Sequence, residues 1–368
     1  MSGAMDARAQ ANKPTRAGLF DLRRSRSIIA IALLSVACLL VVVVSIGAGA
    51  LPIPPARAVS ALWRMASEPG VVALDRDVLV IANIRLPRVL TGLGVGAALG
   101  ASGAIMQGLF RNPLADPGLV GVSGGAALAA AVVIVLGDRI MAPATVPFYM
   151  LPIGAFFGGL ASTLAIYMIS TRSGRSSTNI MLLAGVAIGA LSGALTGLLS
   201  YFSDDRQLRD LTFWSMGSLN GSTWLKTLIV LGLLAPLTAF LPMLSRGLNA
   251  LAFGEAEAFH LGARVERVKA VAVVFVAIAV GASVAVSGML AFIGIVAPHA
   301  VRLAVGPNHR TLLPLSMLVG GGGLVGADAL ARTMLAPAEL PVGILTAAIG
   351  APFFLWLLLR RRAGDAVS

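Results

Sequence analysis

Cysteine is nearly absent from this 368-residue sequence. Cys38 stands alone inside an apolar run, which excludes a disulfide framework and any cysteine metal site. Charged residues make up only 12% of the chain, too few for an ordinary soluble domain. No G-x-x-x-x-G-K-[ST] phosphate loop occurs. The run Gly320–Gly323 lacks a lysine and sits in an apolar stretch, where close helix packing is the economical reading. Any nucleotide hydrolysis therefore belongs to another chain. Asp204-Asp205 is the only adjacent acid pair, and it has no second pair with which to hold a metal. Three scattered histidines, His260, His299 and His309, form no ligand spacing. These absences argue against an enzyme and against a resident metal.

What is present is apolar. Hydrophobic residues reach 57% and the mean hydropathy is +0.90, with several runs beyond the roughly 18 residues that read as a membrane span. Ten runs qualify or nearly qualify: Ile28–Ile46, Val89–Phe110, Leu119–Leu136, Phe148–Ser170, Ile180–Tyr201, Leu225–Leu244, Ala270–Ser287, Met289–Val305, Leu313–Met334 and Val342–Leu359. The first follows six bases, as in a secretory signal peptide. It outlasts the 7–15 residues of such a core and reads as a retained span. The fold expected is an all-α bundle of about ten transmembrane helices.

The net charge of +12 sits in short loops between these runs, so it is an orientation signal rather than a nucleic-acid footprint. An even number of spans puts both termini on one side. That side collects the amino-terminal bases, Arg111, Arg172, Arg175, Arg246, Arg264, Arg267, Lys269, Arg302, Arg310 and Arg360 to Arg362, and so reads as cytoplasmic. The domain plan is a cytoplasmic tail (1–27), one transmembrane domain (28–360) with an inner segment at 245–268, and a second cytoplasmic tail (361–368).

The chain is organised around Asn83–Gly121. Arg85 and Arg88 flank Pro87 at the outer mouth of a helix carrying Gly92, Gly96 and Gly100 on one face, spacing that lets another helix approach closely. A polar, proline-rich break follows at Asn112–Gly118. Outside, Pro54–Glu68 and Gln207–Leu219 read as short helices, either surface anchors or moving gate elements. Inside, Leu248–Gly262 reads as two short helices hinged at Gly254 and closed by Gly262, apolar enough to want a partner. Asp328 and Arg332 lie four residues apart. They either neutralise each other at membrane depth, or Arg332 joins Arg85 and Arg88 in an outer basic collar for an acidic docking protein. Met106, Met150, Met181 and Met216 either line a path or fill gaps.

Several ordered segments then carry a resemblance: IRLPR, GASGAIMQGLFRNPLADPGLVGVSGGA, LTFWSMGSL, LAFGEAEAFHLG, AFIGIVAPHAVRL, NHRTLLP, ADALAR and AELPVGILTAAIGAPFFLWLL. Together they resemble the iron-siderophore, heme and cobalamin permease family of ABC importers over nearly the whole chain. The resemblance implies the type II importer permease fold in a bacterial inner membrane. It also implies a homodimer, two cytoplasmic ATPase subunits and a periplasmic binding protein. Arg85, Arg88 and Arg332 match the family's docking arginines. Asn112 and Leu114, with Ser177, Thr178 and Asn179, match its cytoplasmic gate, although the stretch around Ser177 departs in detail from the cobalamin pattern. Leu251, Phe253, Gly254, Glu255, Ala258, Phe259 and Gly262 match the coupling segment that seats in the ATPase. The run SDDRQLRDLTFWSMGSLNG is most similar to heme permeases. Heme is therefore the expected cargo, received from a periplasmic heme-binding protein, with ferric siderophore or cobalamin as the alternative. No cofactor is expected on this chain, since ATP and Mg belong to the ATPase subunits.

Overall fold

The structure, a computed structural model, describes residues 16–49, 53–67, 75–140, 149–336 and 338–365. Residues 1–15 and 366–368 of the two expected tails lie outside the described residues, as do Glu68 and Phe148. The elements run α1 (Arg16–Gly47), α2 (Pro55–Ser67), α3 (Arg76–Val80), a wide turn (Ile81–Arg85), α4 (Leu86–Leu109), a 3₁₀ turn (Pro117–Val120), α5 (Val122–Ile140) and α6 (Met150–Ser170). A hairpin of β1 (Thr171–Arg172) and β2 (Arg175–Ser176) leads into α7 (Thr178–Tyr201) and α8 (Asp205–Met216). The chain continues through α9 (Trp224–Thr238), α10 (Leu241–Leu251), α11 (Glu255–His260), α12 (Val265–Ser287), α13 (Ile293–Val305), α14 (His309–Met334) and α15 (Val342–Asp365).

Among the described residues, six helices are long and apolar enough to cross a membrane. One pair, α9 and α10, is bent by 59° and makes a further candidate, and three shorter apolar helices lie in α5, α13 and α15. Each of these segments falls on one of the ten apolar runs, so the chain is an all-α, multi-pass membrane protein.

Where boundaries moved, the backbone explains it. The straight span expected over Leu225–Leu244 breaks because Pro236 and Pro242 cannot donate to the helical ladder. Helix α1 begins at Arg16 and α15 runs to Asp365, so helix extends well into both expected tails. Met289–Phe292 is not helical: Gly288 and Phe292 hold positive φ of 69° and 68°, and α13 starts only at Ile293. The helix of the arginines starts well before Val89. Ahead of Pro87 one turn widens, with the Leu86 N–H donating to Ile81 O, and the helix continues back to Arg76.

The core is the crossing of α4 with α14. A methyl group on Gly96 would collide with Gly320 O, and one on Gly100 with Ser316 O, so the glycine face does permit backbone contact. Gly320 meets Gly96 O reciprocally. This is the close packing expected of the Gly320–Gly323 run for its first three members, whereas Gly323 faces open space. Both outer helices also form, as α2 and α8. The second is fixed by a capping box in which Asp204 accepts from the Gln207 N–H while the Gln207 side chain accepts from the Asp204 N–H.

Candidate functional site

The outer arginines do not form an exposed rim. Arg85, Arg88 and Arg332 are only 4%, 6% and 4% accessible. Arg88 grips Asp328 with Nε and Nη2 at 2.9–3.2 Å and reaches Glu339 with Nη1 at 3.0 Å. Arg332 Nε lies 3.1 Å from the same Asp328 carboxylate. The remaining guanidinium protons close the end of α1. Arg85 donates to Ile46 O and Gly47 O at 2.6 and 2.8 Å, and Arg332 donates to Ser45 Oγ at 2.7 Å and Ala48 O at 3.1 Å. The last carbonyls of a helix have no intrahelical donor and carry partial negative charge, which is what cations relieve. Of the two readings of Asp328 and Arg332, mutual neutralisation is the one the geometry carries. The free collar is corrected: the three cations are consumed by Asp328, Glu339 and the end of α1. Nearby, Asp75 caps α3 through the Val78 and Asp77 N–H groups and pairs with Arg64, linking α2 to α3. The Val78 N–H bond, aided by Arg64, holds the Asp75 carboxyl below the usual carboxylate range.

The two segments expected to form the gate are each held by their own caps. Asn112 Oδ1 accepts from the Leu114 N–H at 3.0 Å, and Asp116 Oδ1 accepts from the Gly118 N–H at 2.7 Å. Ser177 is the N-cap of α7, its Oγ accepting from the Ile180 N–H; Thr178 and Asn179 form the first turn. The segments meet one turn deeper, where Gly185 of α7 packs against Leu119 O of the 3₁₀ turn.

At the end of the bundle opposite the arginines, α10 and α11 are the two short helices expected, with Gly254 at φ 121° between them and Gly262 at φ 81° after them. A Cβ on Gly254 would meet the Glu257 carboxylate as well as suffer that backbone strain. The residues expected to couple to the ATPase sort by side. Leu251 and Ala258 are buried against the bundle, whereas Phe253 and Phe259 are each 71% exposed, beside an exposed Leu261. Glu255, in the first turn of α11, accepts from Lys269 Nζ at 2.7 Å.

Lys269 is what sequence reasoning missed, counting it only among the cytoplasmic bases. Its side chain is almost wholly buried, and Nζ reaches three acceptors: Ser176 O at 2.6 Å, Glu255 at 2.7 Å and Glu266 at 3.2 Å. Glu266 in turn accepts from the Ser176 N–H at 2.9 Å and the Ser176 Oγ–H at 2.7 Å. The i,i+3 spacing of Glu266 and Lys269 was available as a signal; the convergence of β2 and α11 upon it was not.

A cavity of about 520 Å³ opens between the gate segment at Asp116 and Gly118, the end of α8 at Ser215 and Met216, and the region from Met289 to Phe292. Of the four methionines singled out, Met216 lines this cavity, while Met106 and Met181 are fully buried gap fillers. Among the histidines, His299 is buried inside α13 against the Phe353 ring at 5.9 Å. His309 opens α14, bound to Asn249.

The chain is 50% identical over 281 residues to a hemin transport system permease of Yersinia pestis, covering 76% of this chain and 83% of that one. It is 44% identical over 283 residues to a cobalamin import permease of Halobacterium salinarum, covering 77% and 74%. It is 43% identical over 294 residues to a vitamin B12 import permease of Klebsiella pneumoniae, covering 80% and 86%. Among solved structures, an inward-facing metal-chelate type ABC transporter superposes with a TM-score of 0.77 at 33% identity, covering 90% of this chain and 99% of that one. With glycine-mediated helix crossings and an apolar knuckle at α10–α11 in place, and residues 37–360 matched by its family model, the chain belongs to the FecCD transport family.

Proposed function

We propose that this chain is the permease subunit of an ATP-driven importer that passes heme from a periplasmic heme-binding protein to the cytoplasm. It works as a homodimer with two cytoplasmic ATPase subunits in a bacterial inner membrane, both termini facing the cytoplasm. The observation that carries the machinery is the inner knuckle. Phe253 and Phe259 stand exposed on a rigid glycine-hinged turn whose other face is anchored in the bundle, the form of an apolar surface built for a partner. Heme is favoured by the 50% identity to the hemin permease, against 43–44% for the cobalamin permeases. The run Gln207–Leu219 points the same way.

Helix α7 supports the homodimer. It is apolar enough to span, yet only 11% of its core window is covered, while the window through α4 is 83% covered. A second copy seated on α7 would place the gate residues Asn112, Leu114, Ser177, Thr178 and Asn179 around a shared path. At the outer face, Arg85 and Arg332 hold the frame from beneath, and Arg88, whose pair with Glu339 reaches solvent, is the arginine that an acid of the binding protein can engage. Three cations set against Asp328 and Glu339 leave one positive charge over, and the Glu339 side chain, 36% exposed, is the partner a docking acid can replace. Switching between gate states needs only a few kcal/mol of differential binding by nucleotide and loaded binding protein.

The test is uptake into liposomes holding the full complex, supplied in turn with heme, a ferric siderophore and cobalamin on their cognate binding proteins. ATP-dependent accumulation of heme is expected. Accumulation of cobalamin without heme would overturn the cargo, and uptake by the permease dimer alone would overturn the machinery.

A further inference from the structure

We infer that Lys269 is a positioning residue that mechanically joins the ATPase-contacting helix α11 to the gate helix α7. The inference rests on the reading of α11 given above and adds a residue to it.

An ammonium has three protons to donate, and Lys269 Nζ finds three acceptors on three different elements. Glu255 belongs to the first turn of α11, Glu266 to the first turn of α12, and Ser176 to β2. Ser176 is itself saturated by the same cluster. Its carbonyl accepts from Lys269, and its N–H and hydroxyl donate to Glu266. The next residue, Ser177, is the N-cap of α7, followed by Thr178 and Asn179 of the gate. The route from α11 to the start of the gate helix is therefore one side chain long, through contacts of 2.7 Å and 2.6 Å. Helix α11 makes few other ties of this strength: its apolar face packs through Ala258, while Phe253 and Phe259 point away from the bundle.

Burial makes the joint stiff. The Lys269 side chain is 1% accessible, so water cannot replace a lost acceptor, and charge-assisted bonds in such surroundings hold their geometry. The two carboxylates are different, at 42% and 39% exposed, and hydrate readily if the lysine is removed. Cutting the joint is therefore expected to leave the fold standing and to abolish only the transmission. A purely structural lysine would behave in the opposite way, lowering stability while leaving coupling intact.

The experiment uses the full complex with Cys38→Ala and a spin label at Ser173→Cys, the exposed hairpin tip. Label mobility is compared without nucleotide and with ATP and vanadate, alongside heme uptake per ATP hydrolysed. Unaltered Lys269 is expected to give a nucleotide-dependent change at the hairpin. Lys269→Met is expected to abolish that change and to lower uptake per ATP by about ten-fold, within the range of site-to-site couplings. ATP hydrolysis should persist and the ATPase stay bound. Glu266→Gln, which leaves Lys269 and Glu255 paired, should reduce the response partway, and it decides the question by itself if Lys269→Met does not assemble. A hairpin that responds to nucleotide equally in both variants, or not at all with Lys269 present, overturns the inference. Should the unaltered complex move no heme, the cargo reading fails while the label still decides the joint.

Discussion

Among the described residues lie two buried cation clusters, one at each end of the bundle, and they are built for opposite purposes. At the outer end, Arg88 and Arg332 share Asp328, which is itself buried, and the leftover donors of Arg332 and Arg85 fasten the end of α1. Among the described partners, those other than Glu339 are either buried or backbone. At the inner end, Lys269 is just as deeply buried, but its two carboxylates reach solvent and join it to the proposed ATPase-contacting helix α11 and to the hairpin that precedes α7. The difference teaches how to read a buried charge in a transporter. A cation whose acids are buried with it fixes a frame, because unmaking it strands charge in a low dielectric. A cation whose acids touch water can be re-partnered cheaply and so can join moving parts.

Substitutions at the two ends should therefore separate stability from coupling. The largest stability effect is expected for Asp328→Ala, which strips the acid shared by two buried arginines. A loss of roughly 3–5 kcal/mol is in keeping with broken buried pairs. Thermal unfolding in detergent, followed by tryptophan fluorescence, reads it, and a midpoint unchanged from the parent would dissolve the distinction. Lys269→Met should cost less, about 1–3 kcal/mol for one stranded carbonyl, because Glu255 and Glu266 rehydrate. Equal losses at the two ends would mean that both are frames.

Next comes Phe253→Ala combined with Phe259→Ala. Both rings are exposed in the isolated chain, so its unfolding midpoint should stay put while the ATPase subunits are lost on purification. Retention of a stoichiometric complex would count against α11 as the contact. Glu339→Gln is smaller still, below about 1 kcal/mol as for other partly exposed pairs. It should nevertheless tighten docking of the binding protein by freeing Arg88, measurable by surface plasmon resonance, and weaker docking would refute the exchange. The smallest effect concerns pH. The Asp75 carboxyl is held below its ordinary value, so its support of the α2–α3 junction is fully present above the unfolded value near 4 and lost as pH falls through the lower folded one. Asp75→Asn should therefore lower stability slightly at neutral pH and flatten that portion of the acid sensitivity, with no change below the folded value.

Much of this plan was legible in the residues. Apolar runs fix spans because lipid leaves no alternative for the backbone, and glycines at Gly96 and Gly100 announce a close crossing because no other residue fits there. The hinge at Gly254 was readable for the same kind of reason. The α9–α10 bend was missed because hydropathy averages over prolines such as Pro236 and Pro242 that the ladder cannot ignore. The Asp328–Arg332 pair was one of two readings, but the burial of Arg85 and Arg88 was missed for a different cause. Charge at a span's mouth looks free in sequence, and only folding shows that Ser45, Ile46 and Ala48 bring carbonyls to meet it. Lys269 illustrates the same limit, since Ser176 and Glu255 stand far from it along the chain.

Hydrogen exchange on the assembled complex, with and without ATP and vanadate, tests the contrast between the two ends most directly. A framed outer end and a jointed inner end predict altered protection across residues 171–180 and 251–262, with none at 85–88 or 328–332. Nucleotide-dependent change at the outer arginines, with an inner hairpin that stays constant, would contradict the account.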